Sequence, residues 1–385
     1  MKVLVIGCGL QGRAVVHDLA ASEAVKQVTC ADVDLQVAQA ACEHAGSNKL
    51  QAVALDASDA AALSVLVGGG FDVVVDMLPR QFVRRVGQAC IAAGVHLVNT
   101  YYDHDLRDLD TSAREAGVAL LPEMGLDPGI DLVMAAEAIR RFDRVTHLLS
   151  YGGGFPEAGA DDNPLRYRIS WTWEGVLNAY ARPSRLVHQG KIVEVPAENI
   201  FDEDMVHTVD FAPFGALEAY PNGDAAEYAQ RFGIAGSAQE VGRYALRWPG
   251  HVSLWRALVG LGFLEREPVP GLGAVTPREF MIRHLEPRLQ YAPGQRDAVI
   301  LRVEARGEGG ASDRLVLDLI DFRDRATGLM AMNRTVGFPA SIAAQMLASG
   351  QIKARGLLSP IQHMPWAILV EQLSRRGIAI VESTA

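Results

Sequence analysis

The 385-residue sequence predicts an α/β protein: a doubly wound parallel sheet with an inserted α+β domain of mostly antiparallel sheet. Three observations carry this reading. From residue 2 to about 123, short β-branched apolar runs alternate with Ala-rich stretches of helical spacing. Strands that are apolar on both faces belong to a parallel sheet covered by right-handed crossover helices. The run "GCGLQG" directly follows the first apolar run and opens the first helical stretch. After Gly129 the alternation stops, loops lengthen and aromatic residues become more frequent.

In order along the chain, residues 2–6, 28–32, 52–55, 72–76, 95–99 and 118–121 read as the parallel strands. Residues 12–21, 35–45 and 82–93 read as helices between them. A helix follows at 130–142, and "VTHLLSYGGGFPE" reads as a strand ending in a glycine turn. Residues 166–171, 298–304, 313–322 and 329–336 read as further strands, the last two forming a hairpin through "RDRATG". Helical patterns at 341–348 and 364–376 are expected to return to the first domain. The expected organisation is a nucleotide domain of residues 1–124 plus 341–385, with residues 125–340 as a substrate and dimerisation domain.

Composition narrows the function classes. Hydrophobic residues make up 49% and charged residues 21%, the balance of a globular chain. The net charge of −10 argues against a general nucleic-acid or anionic-membrane binder, though a site can still be locally basic. Cys8, Cys30, Cys42 and Cys90 form no CxxC pair and no zinc spacing, so they read as reduced core thiols of a cytoplasmic protein. No run approaches the roughly 18–20 uninterrupted apolar residues of a membrane span.

Gly7, Gly9 and Gly12, with Leu10 and Gln11 between them, keep the GxGxxG spacing. The first glycine allows a tight turn, the second lets a pyrophosphate approach the backbone, and the third lets helix and strand pack closely. Asp32 closes the second strand, where an acid accepts hydrogen bonds from ribose hydroxyls. A 2′-phosphate would meet both Asp32 and Asp34 with no Lys or Arg in the residues that follow, so the sequence predicts NAD(H) over NADP(H). Asp56 is either a contact to the adenine edge or a helix N-cap. Leu78 and Pro79, in "DMLPRQF" after the fourth strand, fall by position on the nicotinamide side.

The runs "GLDPGID", "SYGGGFP", "DNPLRYRISW", "YPNGD" and "ASIAAQMLASGQI" together resemble the saccharopine dehydrogenase family in its glutamate-forming branch. The resemblance spans nearly the whole chain in matching order. "TCADVDLQVAQ", "FGALEAY" and "PGH" are similar to lysine 6-dehydrogenases, a sister group. The resemblance implies a Rossmann domain with an inserted substrate domain, a homodimer, and nicotinamide-dependent hydride transfer at the C–N bond on the ε-carbon of lysine. Carried over by motif, it places Asp127, Tyr102, Ser170 and Asn222 at the substrate site. Two positions depart from the family pattern: Gly152 stands in place of a cysteine, and Gly223 in place of an arginine. An arginine can hold a carboxylate through two parallel bonds, so Arg247 is the remaining anchor, with Arg166 and Arg168 as further candidates.

Such a reaction needs a carboxylate that binds the cationic amine and stabilises an iminium. Asp127 is the candidate, and helix capping ahead of Pro128 is its competing role. Asp131 reads as a first-turn residue that complements the helix dipole. Glu123 is a possible second carboxylate, and one of Tyr101 and Tyr102 is expected to face the substrate because neighbours in an extended run alternate. His251 is a substrate-site candidate against a structural role. No ligand spacing suggests a metal, and no nucleophile motif suggests a hydrolase. With the glycine motif, the resemblance implies an NAD-dependent oxidoreductase acting at the C–N bond of saccharopine, lysine or a related small amino acid. A lysine 6-dehydrogenase is the near alternative. A non-catalytic NAD-binding sensor or scaffold, suggested by Gly152 and Gly223, is the alternative of another class.

Overall fold

The computed structural model describes residues 1–384. The chain forms two compact units: Met1–Ala136 with Asn333–Ala379, and Glu137–Met332 with the residues from Ile380.

The first unit alternates strand and helix: β1 (Lys2–Ile6), α1 (Leu10–Ala21), β2 (Gln27–Asp32), α2 (Leu35–Ala45), β3 (Leu50–Ala54), α3 (Ala60–Val67), β4 (Val73–Asp76), α4 (Val83–Ala93), β5 (His96–Asn99), α5 (Asp110–Glu115), β6 (Ala119–Leu121) and α6 (Ile130–Arg140). All strands are parallel, in the order β6-β5-β4-β1-β2-β3, and a short strand at Gly356–Leu357 extends the β6 edge. This is the expected doubly wound sheet, and its order reverses between β1 and β4. Leu4, Ile6, Val74, Leu97 and Leu120 line one face and pack against Leu63, Val67, Val86 and Cys90 from α3 and α4. The C-terminal helix Ala331–Ala348 is tied to α1 through Asp18, whose Oδ2 accepts from Ser341 Oγ at 2.6 Å. Arg376 donates to the same carboxylate at 2.6 and 2.9 Å.

The second unit contains β7 (Arg144–Pro156), α7 (Trp173–Tyr180), β8 (Ser184–His188), β9 (Lys191–Val195), β10 (His207–Phe211), β11 (Gly215–Pro221), α8 (Ala225–Arg231), β12 (Glu240–Arg247), α9 (His251–Gly260), α10 (Pro277–Leu285), β13 (Asp297–Glu308) and β14 (Arg314–Phe322). Its mixed sheet runs β10-β11-β12-β7-β13-β14 and ends on the chain-terminal strand Ile380–Thr384. β12 and β7 are parallel, and the other pairings along this path are antiparallel. Trp173, Tyr180, Trp255 and Met281 from α7, α9 and α10 pack with Tyr220 and Ala245 of the sheet. Phe155, Phe211, Leu217, Leu246, Trp248 and Ile300 form a separate cluster.

Three local expectations are corrected. Residues 166–171 are not a strand; they belong to an irregular segment in which Arg166 takes φ 47°. Residues 329–336 enter the helix Ala331–Ala348, because Asp297, 34 residues earlier in the chain, accepts the amides of Ala331 and Met332 at 2.7 and 2.9 Å. A cap supplied from so far away leaves no local signal, and the true partner of β14 is β13. The glycines of "SYGGG" lie inside β7 and all pair with β13; Gly152 pairs with Leu301 there and also with Ala245 of β12. Among the described residues no helix is long and apolar enough to cross a membrane.

Candidate functional site

The β1–α1 junction is a backbone cradle. Gly7 takes φ 88°, and a Cβ on Gly12 would stand 1.9 Å from the Gly7 carbonyl oxygen, so only glycine lets the helix start this close to the strand. A Cβ on Gly9 would meet nothing within 4 Å, and no side chain caps α1 there. Open space in front of an uncapped helix start suits an anionic pyrophosphate. Leu10 is exposed, and Gln11 half-buried, on the first turn of α1. Asp32 ends β2 and folds back onto the turn: its Oδ2 accepts from the Cys8 amide at 2.8 Å and its Oδ1 from the Asp34 amide at 3.1 Å. Asp34 caps α2 through the Gln36 amide at 2.8 Å. Asp56 is not the cap of α3. Its carboxylate accepts from the Ser58 amide at 2.8 Å, and Asp59 holds the helix through Ala61 and Ala62. The Ser58 hydrogen bonds hold Asp56 below the ordinary carboxylate range.

The other first-unit candidates follow β4, β5 and β6 along the same carboxyl edge. Asp76 accepts from the Leu78 amide at 3.0 Å and so sets the turn into Pro79. Asn99 does the same for the Tyr101 amide at 3.0 Å. Tyr101 packs into the helix-covered core, whereas Tyr102 is half-buried and stacks on His104 with ring centroids 6.0 Å apart. Glu123 is fully buried, takes φ 61°, and donates its amide to the Tyr101 carbonyl at 2.9 Å. A non-glycine residue with positive φ is uncommon, and such strain clusters at functional sites. Asp127 is half-buried. The expected cap geometry is corrected: α6 begins at Ile130, so Pro128 is not its first residue. Gly129 instead closes the turn, where a Cβ would come within 2.0 Å of the Gly125 oxygen. Asp131, buried, accepts the Gly129 amide at 2.7 Å, which makes it the residue that fixes this helix start.

The second unit holds a buried basic pocket. Arg247 ends β12 with 8% exposure, its guanidinium 5.3 Å from the Tyr167 ring centroid and 6.0 Å from that of Tyr220. One of its nitrogens donates to the Leu246 carbonyl at 2.8 Å, while Nε is buried without a partner. Among the described residues no carboxylate lies within ion-pair distance of it. Glu218 stands opposite in the ladder, yet both its oxygens accept amides at the start of α9, from Gly250 and Val252 at 2.9 Å each. The hydroxyls of Tyr167 and Tyr291 are also buried and unpartnered. Burial raises Tyr167, Tyr220 and Tyr291 above the ordinary phenol value, so all three remain neutral donors. His251 donates from Nδ1 to the Leu165 carbonyl at 2.9 Å, which leaves Nε2 to accept from Tyr180 Oη at 2.8 Å. Burial, and then the Arg247 charge, push it down to about 3, so it is neutral. A buried cation together with the unpartnered neutral hydroxyls of Tyr167 and Tyr291 can bind a carboxylate.

Ser170 is buried nearby in the chain, with its Oγ 3.6 Å from where a Cβ on Gly154 would stand. Asn222 accepts from Arg182 at 2.8 Å. The next residue, Gly223, takes φ 79°, and its carbonyl accepts from Ser184 Oγ at 2.7 Å. Arg166 and Arg168 are not free anchors. Arg166 pairs with Asp161, and Arg168 with Asp162 and the Ala160 and Gln290 carbonyls.

Residues 3–121 match the saccharopine dehydrogenase NADP binding domain, and residues 125–378 match the saccharopine dehydrogenase C-terminal domain. The chain belongs to the saccharopine dehydrogenase family. It is 29% identical to the Saccharomyces cerevisiae saccharopine dehydrogenase [NADP(+), L-glutamate-forming], covering 100% of this chain and 99% of that one. It is 28% identical to the Bos taurus mitochondrial alpha-aminoadipic semialdehyde synthase over 98% of this chain, but spans only 47% of that protein. The apo yeast saccharopine dehydrogenase (L-Glu forming) superposes with a TM-score of 0.85 at 27% identity, covering 100% of this chain and 99% of that one. The Legionella pneumophila homospermidine synthase shares the fold at a TM-score of 0.65 and 10% identity, over 100% of this chain and 91% of that one. The first unit thus carries the family's nicotinamide-dinucleotide domain. Four tyrosines of the second unit, Tyr167, Tyr180, Tyr220 and Tyr291, were missed as site residues. Tyr167 and Tyr220 lie inside the quoted "NPLRYRIS" and "YPN" runs, so the motifs already contained half the signal.

Proposed function

We propose that this saccharopine dehydrogenase family member is a nicotinamide-dependent oxidoreductase acting at the C–N bond of saccharopine, lysine or a related amino acid. The observation that carries it is Arg247, a buried guanidinium that the protein leaves without a counter-ion. A buried unpaired charge is costly to a fold, and a substrate carboxylate removes that cost. Tyr167 and Tyr291 offer hydroxyls to the same anion, and the His251–Tyr180 bond fixes the wall beside it. On the first unit, Asp127 and Glu123 are the candidate carboxylates for a cationic amine, and Tyr102 is the candidate phenol. The bound dinucleotide would supply the hydride acceptor or donor, cradled by Gly7, Gly9 and Gly12 over the first turn of α1.

For the dinucleotide we propose NAD over NADP. The yeast relative and the matching family domain carry NADP in their names; what supports NAD is this chain's own residues. Asp32 and Asp34 both stand at the β2 end, and the first Lys or Arg after them, Lys49, donates to the Ala20 and Ser22 carbonyls at 3.1 and 2.7 Å. Asp32→Ser is expected to raise NADP affinity relative to NAD, measured by calorimetry; an unchanged ratio would count against this choice. The substrate reading is tested by two assays. Oxidation of NADH that requires both α-aminoadipate semialdehyde and glutamate supports the saccharopine reaction. Reduction of NAD by lysine alone supports the lysine 6-dehydrogenase reading. Binding of dinucleotide with no turnover of any of these leaves the sensor reading.

A further inference from the structure

Asp76 and Asn99 end β4 and β5 and face each other in the parallel ladder, with Ile6 of β1 on the other side of Asp76. Both are fully buried. One oxygen of each carries the amide of the following turn, while Asp76 Oδ2 and Asn99 Nδ2 are buried without a hydrogen-bond partner. The function proposed above gives Asn99 and the Leu78 amide only a structural part and gives Asp76 none in binding. Yet Asp76 stands where the sheet order reverses, which is where a dinucleotide crosses a doubly wound sheet, its nicotinamide half on the β4 side. The backbone after Asp76 touches the glycine turn itself, since a Cβ on Gly7 would meet Met77 at 2.9 Å. The oxidised nicotinamide ring is a cation and the reduced ring is neutral. A buried carboxylate with one bare oxygen is better tolerated as an anion when a positive charge comes close.

We propose that Asp76 is a specificity-determining residue for the redox state of the cofactor, its carboxylate at the end of β4 favouring the cationic oxidised nicotinamide over the neutral reduced one. This rests on the dinucleotide site proposed above. The titratable groups facing Asp76 are Cys90 of α4 and Tyr101 after β5. Burial first, and Asp76 second, raise both of them, so neither ionises near neutral pH. Burial pushes Asp76 itself up to about 7, against the Leu78 amide, which lowers it. Below that value Asp76 is neutral and indifferent to the ring; above it the anion selects the oxidised form.

The test is calorimetric titration of oxidised and reduced dinucleotide into the wild-type protein and into Asp76→Asn and Asp76→Ser, at several pH values on either side of neutrality. In the wild type the ratio of reduced to oxidised Kd should rise about tenfold with pH, the size expected for charges several ångströms apart at an intermediate dielectric. In either variant that folds, the ratio should stay flat. A flat ratio in the wild type, or the same rise in a folded variant, overturns the proposal while leaving the dinucleotide site standing. Failure of the wild type to bind either form overturns both.

Discussion

In the proposed function, the glycine turn of the first unit and the Arg247 pocket of the second each receive an anion, by opposite means. The turn uses no formal charge. It offers backbone, a helix start and the space in front of Gly9. The pocket offers a full charge, buried among aromatic rings and left without a counter-ion because Glu218 is engaged by α9. The difference teaches where each site is vulnerable. A backbone cradle fails when an atom is added, and a charge pocket fails when one is removed.

The largest expected effect breaks the first side of this comparison. Gly12→Val places a side chain on top of the Gly7 carbonyl, 1.9 Å from the Cβ position, and should cost about 3 kcal/mol or more of stability in chemical denaturation. Gly9→Ala makes the contrasting case. Its added methyl has free space in the apo fold, so the melting temperature should hardly move while dinucleotide affinity falls at least about tenfold. Equal stability losses in the two variants would show that Gly9 is structural and not part of a cradle.

The second side is broken by Arg247→Met. Losing a buried charge-assisted contact should raise the amino-acid KM about a hundredfold. Stability should hold or rise, because an unpaired buried charge is removed. The dinucleotide Kd should not change. A parallel loss of stability would mean that the guanidinium is a packing element.

A further effect sharpens the comparison through pH. Asp76, raised to about 7 in the fold, keeps its proton after the unfolded chain has lost its own. Its share of stability therefore falls as pH rises from about 4 to about 7. His251, lowered to about 3, stays neutral while the unfolded chain protonates. Its share falls as pH drops from about 6.5 toward about 3. Denaturant midpoints of Asp76→Asn and His251→Gln, followed over this range, should differ from wild type with opposite slopes. Matching slopes would contradict at least one of these burial assignments.

The same contrast explains what could be read from residues alone. The turn is encoded by local spacing, so Gly7, Gly9, Gly12 and Asp32 were legible, as was the alternation that makes the sheet. The pocket is assembled by register across β11 and β12 and by residues from 165 to 291, and no local pattern reports that Tyr180 bonds His251 or that Tyr291 is buried within reach of the Arg247 charge. Arg247 was named as the anchor, but Arg166 and Arg168 stayed further candidates until their partners Asp161 and Asp162 were visible. Asp297 capping a helix more than thirty residues away hid the end of the second unit for the same reason. Asp76 read only as the end of a strand, since burial is not written in sequence.

The most direct measurement is spectrophotometric formation of reduced dinucleotide from NAD with saccharopine and, separately, with lysine, in the wild type and in Arg247→Met, alongside calorimetric NAD binding. The account predicts turnover with one of these amino acids in the wild type, and its loss in the variant with NAD binding intact. Undiminished turnover in Arg247→Met, or wild-type protein that binds NAD and turns over neither amino acid, would contradict it.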